Sequence, residues 1–221
     1  MKKYKFTGET KTICLPFGTV TLHRIKAVVE FGLVKVGDLG GWIEKEENLS
    51  HEENAWVYGN AKVCGNAKVC GNAKVCGNAK VYGDAEVYGN AWVCGNAEVR
   101  GNAKVYGDAE VYGDAKVYGD AEVRGNAWVC GNAWVCGNAK VFSTDHVLVI
   151  GAIGSRNDFT TFFRDKDNEI TVKCGCFLGK IDKFLEKVTQ THKDTKHTLA
   201  YRTAVEVAKL QIDLTEKSTR R

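Results

Sequence analysis

From Asn54 to Phe142 apolar and polar positions alternate in a fixed frame of six residues. The opening Asn/Asp-Ala-x-Val recurs fifteen times, from Asn54, Asn60 and Asn66 to Asn138, and a Gly precedes every start after the first. Within Asn60-Ala61-Lys62-Val63-Cys64-Gly65, Ala and Val fall on one side and Lys and Cys on the other, the period of a short strand with one buried face. The Gly-Asn or Gly-Asp pair turns the chain, because Gly accepts positive φ and Asn or Asp tolerates the left-handed region. Three such sides close a triangle of eighteen residues. One unit is too small to bury an apolar face, so the pattern predicts a solenoid whose coils stack on one another.

The frame resembles the hexapeptide-repeat family, whose phrase sets an aliphatic residue four positions before a small one. Here the pairs are Val57 with Ala61, Val63 with Ala67, and so on to Val135 with Ala139. The resemblance implies an all-β solenoid, a left-handed parallel β-helix of about five triangular coils, and a trimer packed side by side along the coil axis. The Asn-Ala-x-Val-x-Gly variant, with the lead-in Gly37-Asp38-Leu39-Gly40-Gly41-Trp42-Ile43-Glu44, looks like members common in phages, prophages and gut bacteria. That closer likeness implies no particular activity. The family's best-known activity is acyl transfer with a histidine as general base.

The flanks break the pattern and divide the chain into residues 1–53, 54–142 and 143–221. The first segment reads as a β-rich cap, with strands expected at Thr19–Ile25 and Ala27–Phe31 and a degenerate coil at Trp42-Ile43. The last reads as a small α+β domain. It has a strand at His146–Ile150, a hairpin of Phe159–Arg164 with Ile170–Cys174, and helices over Lys180–Val188 and Ala200–Ile212. The second helix is expected to bury Ala204, Val207, Ala208 and Ile212, and the tail from Thr215 to Arg221 to be disordered.

Residues eighteen apart should lie above one another, which gives each face its own chemistry. One face carries Lys68, Glu86, Lys104, Glu122 and Lys140, a self-compensating ladder. A second carries Lys62, Lys80, Glu98, Lys116 and Trp134. The third carries Trp56, Lys74, Trp92, Glu110 and Trp128 beside Tyr58, Cys76, Cys94, Tyr112 and Cys130. A continuous aromatic stripe suits burial by a partner, so Trp56, Tyr58, Trp92, Tyr112 and Trp128 are the candidate subunit interface. The cysteines at the second outward position alternate with Tyr, Arg and Phe, and read as outward free thiols.

Composition narrows the function. Lys and Arg exceed Asp and Glu by 31 to 27, a formal charge of +4 spread along the chain, which gives no nucleic-acid groove. Neither a signal-peptide core nor an apolar membrane span is evident, and the expected location is cytoplasmic. All five histidines lie outside the hexads. Only His51 and His146, at the two ends of the solenoid, are placed to serve an acyltransferase. In the last segment Ser155, Arg156, Asn157 and Asp158 follow a strand and are candidates for holding an anion such as phosphate. Cys174 and Cys176 with His192 and His197 have the donor types of a zinc site, or of a thiol activated by His192. The favoured reading has neither a cofactor nor catalysis. It is a scaffold whose last domain captures a partner or a small anionic ligand, a nucleotide signal being one version, with acyl transfer or thiol chemistry as the alternative.

Overall fold

The computed structural model describes residues 1–16 and 18–215, so the expected disorder of the tail beyond Thr215 lies outside the described residues. The hexads, with the lead-in before them, form a parallel β-solenoid of about six turns. Each side is a two-residue strand such as Trp92–Val93. It pairs in register with the sides eighteen residues before and after, Lys74 and Val75 below, Glu110 and Val111 above. The backbone carries this register around the whole coil. Trp92 N–H donates to the Ala109 carbonyl at 2.9 Å, and at the corner Asn90 N–H donates to the Gly107 carbonyl at 2.8 Å. The Ala and Val side chains of the hexads are fully enclosed and make one continuous core.

Outside that core the corner amides form vertical ladders. Asn54 Nδ2 donates to Asn72 Oδ1 at 2.9 Å, Asn72 to Asn90 at 3.1 Å, and Asn90 to Asp108 at 2.9 Å. An amide both donates and accepts, so it propagates the chain of bonds; a carboxylate only accepts and ends it. The expected charge ladder is present on another face, with Lys104 and Glu86 at 3.3 Å and Lys140 and Glu122 at 2.5 Å.

The sixth turn comes from the lead-in. Trp42 pairs with Lys62 and Leu49 with Val69, so this turn is longer and irregular. Buried Asn48 fills its corner: Oδ1 accepts from the N–H groups of Glu44 and Lys45, and Nδ2 donates to the carbonyls of Gly65 and Ala67. Ahead of it, β1 (Tyr4–Leu15) and β2 (Gly18–Ala27) form an antiparallel hairpin, and β2 pairs with β3 (Leu39–Ile43). β3 then runs parallel to the first hexad strand of its sheet, so cap and solenoid share one eight-stranded sheet. The strand expected at Ala27–Phe31 does not form; beyond Ala27 the chain leaves the sheet and turns back through a Phe31–Val34 bridge. β1 escaped the sequence reading because most of its side chains are exposed and its pattern is weakly apolar.

The long hairpin overhangs the solenoid flank. Its Leu22 packs with Cys64 and Tyr82, burying both, with Ile13, Leu15 and Val20 around them. At the other end Cys136 is also buried. The outward cysteines are therefore not a uniform set of exposed thiols, and Cys76 and Cys94, on adjacent coils, are joined as a disulfide. Positions eighteen apart stand 4.6 Å apart at Cα here, close enough for two stacked thiols to bond.

After the last hexad, strands Val147–Ile153, Asp158–Arg164, Ile170–Cys174 and Phe177–Lys180 form an antiparallel sheet in chain order. Helices α1 (Ile181–His192) and α2 (Lys196–Gln211) cover it. α1 buries Phe184 and Val188 with Ile181 and Leu185 partly covered, as its spacing predicts. α2 is rotated from expectation: Tyr201, Ala204, Val205, Ala208 and Ile212 are buried and Val207 is exposed. Tyr201 decides the rotation, since its ring packs edge-on against Phe184 of α1.

The tight stacking separates two otherwise similar corner glycines. Gly89 has φ +70°, and a Cβ there would meet Gly107 N at 2.9 Å and O at 3.1 Å; Gly131 has φ +62° and open space around it. Gly131→Ala should cost about 1 kcal/mol from the left-handed backbone alone. Gly89→Ala should cost about 1–3 kcal/mol more, because it wedges two coils apart. Urea unfolding of both variants checks this, and equal midpoints would contradict the stacking argument.

Candidate functional site

The N-terminal end of the solenoid is closed by an aromatic plug. Tyr4 stacks on His51 at 4.3 Å between ring centroids, and Phe31 meets Trp56 edge-on at 5.4 Å. The Tyr4 hydroxyl donates to the carbonyls of Glu46 and Leu49, both at 2.9 Å. Lys3 Nζ donates to the carbonyls of Glu52 and Glu53, and burial pulls its pKa down to about 8. Trp56 is only 1% exposed in this plug, which corrects its expected place in an exposed interface. The physical reason is the loop after β2, which folds over an outward column that the repeat alone leaves open.

Neither terminal histidine has a free basic nitrogen aimed along a cleft. His51 Nδ1 accepts from Lys3 N–H at 3.3 Å, and its Nε2 lies 3.9 Å from a Glu46 oxygen. His146 is buried, and its Nδ1 accepts from Phe142 N–H at 3.0 Å. Both therefore tie the backbone of a solenoid end.

Ser155, Arg156 and Asn157 sit at the exposed turn between the first two strands of the last sheet, and Asp158 begins the second. The turn is closed by Asn157 N–H donating to the Gly154 carbonyl at 3.3 Å. A strand follows, so no helix N-terminus adds its amides. Gly154 lies directly against the Tyr201 hydroxyl, which anchors the turn to α2. Cys174 neighbours that same hydroxyl at 3.8 Å and accepts from Thr160 Oγ1 at 3.3 Å. Burial first, and then Cys174, push the Tyr201 hydroxyl up to about 12. Its ring stacks with His192, whose own ring is 5.7 Å from His197. Cys176 is exposed, and among the described residues no group of three or more His, Cys, Asp or Glu side chains is gathered for a metal. The two cysteines and two histidines are thus split, with Tyr201 touching both Cys174 and His192.

A cavity lies at the seam between solenoid and last domain. It encloses about 190 Å³ among Asp114, Lys116, Trp134, Asp158, Thr161 and Lys173, with Asn132, Phe159 and Gly175 completing the wall. The seam is fixed by Trp134 N–H donating to Thr161 Oγ1 at 3.0 Å. Two ammonium groups converge on the Trp134 ring: Lys116 from the coil below at 4.5 Å, and Lys173 from the last sheet at 4.9 Å. Lys173 also donates to the Gly175 carbonyl. A Cβ placed on Gly175 would lie 3.5 Å from Arg156 Nη1, so the guanidinium reaches the cavity rim. Of the four residues expected to hold an anion, Asp158 lines this space and Arg156 borders it. Lys116, Trp134 and Lys173 were absent from the sequence expectation; the only signal was Trp134 interrupting a charged column. The described wall carries two lysines and two aspartates, so the cavity is equipped to hold a charged group.

The fold defines the class: a parallel β-solenoid, in agreement with the hexapeptide-repeat proteins, carrying a small α+β domain. No family model matches the chain. It is 37% identical over 62 residues to the uncharacterized acetyltransferase YdcK of Escherichia coli (strain K12), covering 26% of this chain and 19% of that protein. The chain thus spans about a fifth of that relative's length. Among the described residues no helix is long and apolar enough to cross a membrane.

The plug carries a pH signature. Burial first, then Lys2, Lys3 and the terminal ammonium, lower the His51 pKa below its ordinary value near 6.5, against the opposing pull of Glu46. A depressed folded value means that the stability it contributes is present above about 6.5 and is lost as pH falls through the folded value. The melting temperature should therefore drop more steeply below neutrality in the parent chain than in His51→Gln. Parallel thermal melts from pH 8 to 5 test this, and identical slopes would refute it.

Proposed function

We propose that this chain is a non-enzymatic scaffold in which a rigid solenoid positions the seam cavity to capture a small anionic ligand. The observation that carries the reading is the convergence of Lys116 and Lys173 on Trp134, with Arg156 at the rim. Lys116 and Lys173 share the wall with Asp114 and Asp158, and Arg156 adds a third cation at the rim, so the cavity favours an anion that also offers a donor to an acidic wall. At about 190 Å³ it is smaller than the roughly 300–1,000 Å³ of sites that enclose drug-sized ligands. It would take a phosphate or carboxylate end and leave the rest of a nucleotide-sized molecule outside. A phage or prophage setting, in which such a protein sequesters a nucleotide signal, belongs to this proposal.

Thermal shift and calorimetry with inorganic phosphate and adenosine monophosphate test it. At ten times the dissociation constant a ligand should stabilise the parent chain by about 1.4 kcal/mol, and Lys173→Met should remove most of that gain. No shift with either anion would sink the reading.

Acyl transfer is the second reading, favoured by the short match to YdcK. The engagement of both His51 and His146 by backbone N–H groups argues against it. Incubation with acetyl-CoA and amine acceptors should release no thiol above background; release abolished by His51→Gln or His146→Gln would reverse the assignment.

A further inference from the structure

The third face of the solenoid retains an aromatic ridge after Trp56 is withdrawn. Trp92 is 46% and Trp128 49% exposed, two coils apart, with half-buried Glu110 between them and Lys74 one coil before Trp92. Lys74 Nζ lies over the Trp92 ring at 4.7 Å. One coil further back, where Trp56 is hidden, the loop after β2 presents Leu33 at 83% and Val36 at 65% exposure. Leu33, Gly32 and Tyr58 border a groove of about 360 Å³ that runs over Lys74 to Trp92. The order along the face is therefore apolar loop, cation, Trp92, anion, Trp128.

That order is self-complementary when reversed. We infer that this face pairs with the same face of a second copy in antiparallel register, about a two-fold axis that runs along the strands at Trp92. Coils are spaced at ~4.8 Å, so the operation sets Lys74 opposite the second copy's Glu110 and Glu110 opposite its Lys74, about 5 Å either side of the axis. Trp92 meets Trp92 on the axis. Trp128 comes level with the second copy's Leu33 loop, which borders the groove. Every exposed apolar group on the ridge gains an apolar partner, and both flanking charges gain an opposite one. The side-by-side trimer that the family resemblance implies has its axis along the solenoid and keeps each residue level with its own copy. Through this face it would bring Lys74 to the height of Lys74 and Glu110 to the height of Glu110, with no such compensation. The inference is independent of ligand capture, because Trp134 and Lys116 lie on a different sheet from Trp92.

Light scattering and sedimentation of the full chain, from micromolar to near-millimolar concentration, should give twice the chain mass. Trp92→Glu should be monomeric with an unchanged circular dichroism spectrum. Charge reversal separates the registers while keeping both tryptophans, and Glu110→Lys does so without removing the Lys74 ammonium from the Trp92 ring. Lys74→Glu alone and Glu110→Lys alone should each weaken association roughly tenfold or more, since each turns two attractive pairs into repulsive ones. The double variant Lys74→Glu/Glu110→Lys should restore it to near the parent value. A monomer or a trimer across the concentration range would overturn the inference. So would single reversals that leave the dissociation constant unchanged, or a double variant no better than the singles.

Discussion

Everything in this structure depends on a vertical register of eighteen residues. A two-residue strand has too few hydrogen bonds and too little apolar area to persist alone, and each exists only because the coils above and below supply its partners. The same register puts Ala over Ala and Val over Val, so the core of the hexads is built from a vocabulary of two side chains. It also puts glycine over glycine, where backbones approach so closely that an added Cβ would lie about 3 Å from the next coil at most corners. Loss of register at one corner would uncouple all three sheets.

A stack with this property has no natural end, and the chain stops it twice by different means. At the start, irregular backbone carries bulky groups: Asn48 fills a corner, and the Tyr4–His51–Trp56 plug covers an outward column that regular coils leave open. At the finish, the last domain lays Asp158–Arg164 across the closing coils, with Phe163 entering the solenoid core and Thr161 taking the Trp134 N–H. Both ends therefore make irregular polar contacts that coils built from one repeated phrase do not. His51 and His146 are examples: each uses Nδ1 to satisfy a backbone N–H that no further coil would satisfy.

The difference between coil and cap also explains what the residues disclosed in advance. Local periodicity dictates the coils, so inward Ala and Val, the three faces and the Lys104–Glu86 ladder follow from spacing alone. The hairpin of Asp158–Arg164 with Ile170–Cys174 and the face of α1 were legible for the same reason. Burial of Trp56, Cys64, Tyr82 and Cys136 was not, because it is imposed by segments distant in sequence that fold over outward positions identical in pattern to exposed ones. The seam cavity was half legible. Arg156 and Asp158 stand out in a loop of special residues, whereas Lys116 and Lys173 acquire their meaning only when docking brings both to one indole.

The placement of these two surfaces favours a division of labour. Trp134 closes the column Lys62, Lys80, Glu98, Lys116 on the sheet that also contains the N-terminal hairpin, whereas Trp92 and Trp128 lie on a separate five-stranded sheet. Sheets on different sides of a triangular coil face in different directions, so a copy packed on the Trp92 face leaves the seam cavity open to solvent. The solenoid between them is stiff, because bending it would break backbone hydrogen bonds in three sheets at once. A ligand at the seam touches two parts of the chain, Lys116 of the coils and Lys173 of the last sheet, and so bears on how firmly that domain is held. In the proposed reading the repeat is a spacer between a self-associating face and an anion-holding end, and its uniformity is what keeps the Trp92 face and the seam cavity apart.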